Sequence, residues 1–115
     1  MTEVDILNGN DKFQSFLYEI GTALPEVGDN YDFKLDDYNN DGKLDLYCIK
    51  KFGTGTNSTE ISILGGNDYF KSFITNIETK LPETDEDFSF YPFKDKLYAI
   101  HKKGDKCTEI ICLKI

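Results

Sequence analysis

The sequence predicts an all-β fold assembled from a tandem repeat. Residues 2–26 (TEVDILNGNDKFQSFLYEIGTALPE) align without gaps to residues 59–83 (TEISILGGNDYFKSFITNIETKLPE). The offset is 57, and 15 of the 25 positions are identical. A period of that length marks a unit that buries its apolar faces on its neighbours. Most other segments are short, rich in β-branched and aromatic residues, and bounded by Gly-rich or charged turns, as strands are. Their apolar residues do not alternate cleanly, which fits sheets covered on both faces. The 115 residues suit one domain spanning 1–115, with nine Phe and seven Tyr to fill a core.

The first repeat spans 2–58 and the second 59–107, and a third start follows at 108–115. There TEIICL (108–113) echoes TEVDIL and TEISIL, and all three read as strands. The segment 12–24 is ambiguous. Phe13, Phe16, Leu17, Ile20 and Leu24 make a helical stripe, repeated by Phe70, Phe73, Ile74, Ile77 and Leu81 in 69–81. Gly21 and the β-rich SFITNIETK favour strands; helices at both places would make the fold α+β instead. YDFKLDD (31–37) is a further strand, and FSFYPF (88–93) is its partner in the second copy, placed at an edge by Pro92. LDLYCIKK (44–51) corresponds to KLYAIHKK (96–103) through Leu46 with Leu97 and Tyr47 with Tyr98. GTGTNS (53–58) and KGDK (103–106) read as hairpin loops. The expected total is nine strands, grouped as three, four and two.

Between Phe33 and Leu46 the first copy carries KLDDYNNDGKLD, where the second has only YPFKDK between Phe90 and Leu97, shorter by six residues. Asp37, Asn39, Asp41 and Asp45 occupy positions 1, 3, 5 and 9 of a loop in which Gly42 permits a sharp turn. Calcium takes six to eight oxygens, and alternate positions of a tight loop can aim at one point. Without a cation the three carboxylates repel. An EF-hand would need an acid at position 12, where Cys48 stands. The same residues also make an ordinary Asn-Asp-Gly turn. At most one such site is expected per chain.

The loop DYNNDGKLDLY, set between two strands, resembles the calcium loop of FG-GAP or VCBS repeats, the blades of integrin-α-like β-propellers. The 57-residue unit is similar to tandem repeats appended to secreted muramidases. The resemblance implies about two propeller-like blades, a structural Ca2+ that takes the Lys43 carbonyl at position 7, and an extracellular setting. Two blades cannot close a ring. Completion by a homo-oligomer is therefore expected, with a small β-sandwich of two face-to-face units as the alternative.

A formal net charge of -8 argues against nucleic-acid partners and anionic lipid surfaces. No apolar run reaches membrane-span length, so no membrane insertion is expected. The N-terminus lacks the pattern of a secretory signal. Cys48, Cys107 and Cys112 form no Cys-x-x-Cys pair, and a zinc site is not expected. His101 is the only histidine, and no nucleophile–base pattern stands out, so an enzyme is not expected. GTGTNS lacks the ending of a phosphate loop. Asn57-Ser58-Thr59 is a glycosylation sequon that matters only on a eukaryotic secretory route. The expected function is multivalent, lectin-like recognition of a glycan or cell-wall polysaccharide. Tyr38, Tyr69 and Tyr91 are the candidate ligand contacts, because aromatic faces suit sugar rings. The second reading is a protein–protein adhesion module of the integrin-like kind.

Overall fold

The computed structural model describes residues 1–104 and 107–114. The chain is all-β. The nine strands among the described residues are β1 (Glu3–Leu7), β2 (Phe16–Gly21), β3 (Tyr31–Asp36), β4 (Asp45–Lys50), β5 (Ser58–Leu64), β6 (Phe73–Pro82), β7 (Phe88–Phe93), β8 (Lys96–Lys103) and β9 (Cys107–Lys114). They form three antiparallel sheets: a first sheet β1-β2, a central sheet β3-β4-β5-β6 and a last sheet β7-β8-β9. No closed barrel is present among the described residues.

The grouping is two, four and three, which corrects the expected three, four and two. The chain changes sheet in the segments that follow Leu24-Pro25-Glu26 and Leu81-Pro82-Glu83. β3 then pairs forward with β4, and β7 with β8. Proline cannot donate to a ladder, so each Leu-Pro-Glu is a natural exit from a sheet. The repeat is kept in the pairing. β9 lies on β8 as β5 lies on β4, with Leu97 opposite Leu113 and Leu46 opposite Leu64. The loop read at 103–106 lies partly outside the described residues.

The ambiguous segments contain strands, not helices. Each begins with one 3-10 turn, Gly9–Asp11 or Gly66–Asp68. Two left-handed residues follow: Lys12 and Phe13 in the first copy, Tyr69 and Phe70 in the second, with φ between 60° and 65°. A helix cannot run through two such residues. The turns are held locally. Phe13 N–H donates to Asn8 O and Phe70 N–H to Gly65 O, both at 2.8 Å. Asp11 and Asp68 accept from the backbone N–H of Gln14 and Lys71. These short carboxylate bonds compete with helix formation.

Two apolar cores separate the sheets. Ile20, Leu24, Leu46, Cys48, Leu64 and Phe70 fill the space between the first and central sheets. Between the central and last sheets lie Tyr47, Ile49, Ile61, Ile63, Phe90 and Leu97. Adjacent residues of β4 therefore serve opposite cores, as the two-residue period of a strand requires. Because both faces of the central sheet are covered, β4 is buried from Asp45 to Ile49. Burial pushes the Cys48 thiol from 9.0 up to about 12. The Tyr47 phenol is also raised, first by burial and then by the Asp36 and Asp45 carboxylates. No helix among the described residues is long and apolar enough to cross a membrane.

Candidate metal loop and the cleft beside it

β3 and β4 are in register from Tyr31–Lys50 to Asp36–Asp45. Residues 37–44 are therefore a hairpin loop whose base is fixed by the ladder. That base brings Asp37, Asp41 and Asp45 together, with one oxygen of each within 4.8 Å of the others. Three neighbouring carboxylates of this kind can hold a metal ion.

Each carboxylate is oriented by backbone donors. Asp37 accepts from Asp41 N–H (3.1 Å) and Gly42 N–H (2.8 Å). Asp41 accepts from Lys43 N–H at 2.9 Å. Asp45 is fully buried, and each of its oxygens accepts one N–H at 2.9 Å, from Tyr38 and from Gly66. A carboxylate has about four lone-pair directions, so these bonds leave capacity for a cation. Gly42 takes φ +83°, which only glycine adopts freely. The Asn39 amide has two possible orientations. With its nitrogen toward Asp41 it donates to both carboxylate oxygens, at 3.1 and 3.3 Å. The donor set of alternating hard oxygens thus fits a hard cation. Lys43 lies in the same loop and lines the neighbouring cleft.

The second copy has no such loop. Lys94 and Asp95 alone connect β7 to β8, with Lys94 at φ +58°. This is the tight hairpin turn expected from the six-residue difference. Lys94 N–H donates to Asp36 Oδ2 at 2.8 Å, tying this turn to the base of the metal loop.

A cleft of about 540 Å³ opens beside the loop, between the first and central sheets. Ile6, Leu7, Leu35 and Leu44 line it, with Tyr18 and Tyr69 as its aromatic members and Asp5 and Lys43 as its charged ones. The Tyr18 and Tyr69 rings are 5.4 Å apart and tilted by 39°. Both are about half exposed. The αL conformation of Tyr69, at the end of its 3-10 turn, presents that ring.

No family model, curated protein or solved structure gives a significant match to this chain.

The three tyrosines singled out by sequence therefore lie in different places. Tyr69 lines the cleft. Tyr38 is partly buried against the core between the central and last sheets, edge-on to Tyr47 at 6.2 Å. Tyr91 is half exposed on β7, with the Lys34 ammonium 5.2 Å from its ring centroid. Sequence reasoning missed Tyr18 and Gly66. Tyr18 carries no repeat signal, because Thr75 stands in its place. Gly66 was legible, since the motif Gly-Asn-Asp recurs at 9–11 and 66–68. His101 stacks face to face on Phe88, centroids 4.0 Å apart.

Proposed function

We propose that the chain is a non-enzymatic recognition module of propeller-like blades, stabilised by Ca2+ at Asp37, Asn39, Asp41, Asp45 and the Lys43 carbonyl, and that its ligand is a carbohydrate. The observation that carries the reading is the half-exposed Tyr18–Tyr69 pair on an apolar cleft beside the acidic loop. Sugar rings combine apolar CH faces with polar rims, and aromatic faces next to a few charged groups suit them. Lys43, which lines the cleft, supplies such a group here. The metal has a structural role in this reading, because the carboxylates already orient backbone N–H groups of the loop. It pins β3 to β4 and, through Asp45 and Gly66, to the turn that carries Tyr69. Tyr38 serves packing in this scheme, and Tyr91 is a separate, shallower aromatic face.

Calorimetric titration with defined mono- and oligosaccharides in calcium buffer tests the proposal. Weak, multivalent binding that free monosaccharide competes is expected, with affinity falling about two- to tenfold in Tyr69→Ala, since an aromatic contact contributes about 0.5–1.5 kcal/mol. Binding unchanged in both Tyr69→Ala and Tyr18→Ala would remove the cleft from the function. A protein ligand that no sugar competes would favour the adhesion reading instead.

A further inference from the structure

We propose that the outward face of the last sheet is a docking surface for a second copy of this chain, received on the outward face of the partner's first sheet. The internal repeat shows what such a face is for. Tyr47, Ile49, Ile61 and Ile63 form the face of the central sheet that packs on the last sheet, and all four are buried. By the register of the repeat, their counterparts on the last sheet are Tyr98, Ile100, Ile110 and Cys112. Strand alternation puts those four on the side away from the central sheet. There Ile110 is 68% exposed, where Ile61 is 1%.

The first sheet has the reciprocal feature. Leu64 and Phe70 pack toward the first sheet from the central one. Their counterparts at an offset of 57 are Leu7, which borders the cleft, and Phe13. Phe13 is 63% exposed, where Phe70 is 6%. Each end of the stack thus repeats one half of a junction that the molecule already makes internally. Charge matches as well. Glu3, Asp5 and Glu19 share the outward side of the first sheet, and Lys96, Lys102 and Lys114 share that of the last. The two surfaces differ, so the contact is head to tail and closes a ring or grows a filament, according to the angle between units.

Solution mass by light scattering, with calcium and with chelator, gives the first test, on the wild type, on Phe13→Lys and on Ile110→Glu. Both substituted side chains are exposed, so each variant should keep its thermal midpoint while setting like charge against the partner face. Expected are a wild type larger than one chain, two monomeric variants, and a complex when the variants are mixed. In that mixture the substituted faces are oppositely charged and the other two faces are intact. A wild type that remains monomeric at high concentration, variants of unchanged mass, or variants that stay apart when mixed would each overturn the proposal.

Discussion

Asp45 and Gly66 are 21 positions apart, yet they are built as a pair. Asp45 is fully buried and accepts the Gly66 N–H. Gly66 has no room for anything larger, because a Cβ there would lie 1.9 Å from Leu44 O. That neighbour is backbone at the edge of a paired strand and cannot move aside cheaply. Gly66→Ala should therefore cost about 3 kcal/mol or more, in the range of severe overpacking with a lost buried hydrogen bond. The equivalent Gly9 offers an internal control. A Cβ there would meet only the Phe13 ring, at 3.5 Å, so Gly9→Ala should stay within about 0.5 kcal/mol of wild type. Chemical denaturation of the two variants checks the contrast, and equal losses would contradict it.

At the level of elements, the β3–β4 hairpin is where a cation matters. Asp41 is exposed and its hydrogen bond is local, so its replacement should be nearly silent without metal. Asp41→Ala should lower the thermal midpoint in calcium and leave it unchanged in chelator, as expected for a ligand that binds only the folded state. A thermal shift series reads this directly, and equal losses in both buffers would count against a metal site. Much of this level was legible in the sequence. The strands followed from the repeat and from composition, and the acidic loop from its spacing. The grouping of strands into sheets was not, because sheet membership depends on pairing between distant segments. Nor was the left-handed pair at Tyr69–Phe70, which breaks an otherwise good helical stripe: no residue type there signals positive φ. The cleft depends on Tyr18 and Tyr69 meeting across two sheets, and no local pattern encodes that meeting.

Across the whole molecule, β4 joins two cores through a thiol and a phenol that both resist ionisation. Their folded-state values are raised, so the stability they contribute is fully present below the unfolded values and is lost as pH rises through the folded ones. For Cys48 the window runs from about pH 9 to about 12. Each pH unit into it costs up to about 1.4 kcal/mol per group, or about 4–6 °C of thermal midpoint for a domain of this size. A melting series from pH 8 to 11 should therefore fall steeply above pH 9. In parallel, in the monomeric Phe13→Lys variant an alkylating reagent at pH 8 should modify exposed Cys112 and spare Cys48, as peptide mapping would show. A flat alkaline limb would mean that the Cys48 thiol and the Tyr47 phenol are not kept from ionising in the folded chain.

The two hairpins show how the sheets tolerate change at their tips. Leu35 faces Leu46 across one, and Pro92 faces Leu97 across the other, in matching register. Yet one tip is an eight-residue acidic loop and the other is only Lys94 and Asp95. The ladder is thus indifferent to what closes it, and the tip is a modular cassette. The short turn of the second copy is a ready graft point: the first copy's own loop, or an unrelated epitope, could be installed there while the strands beneath keep their alignment.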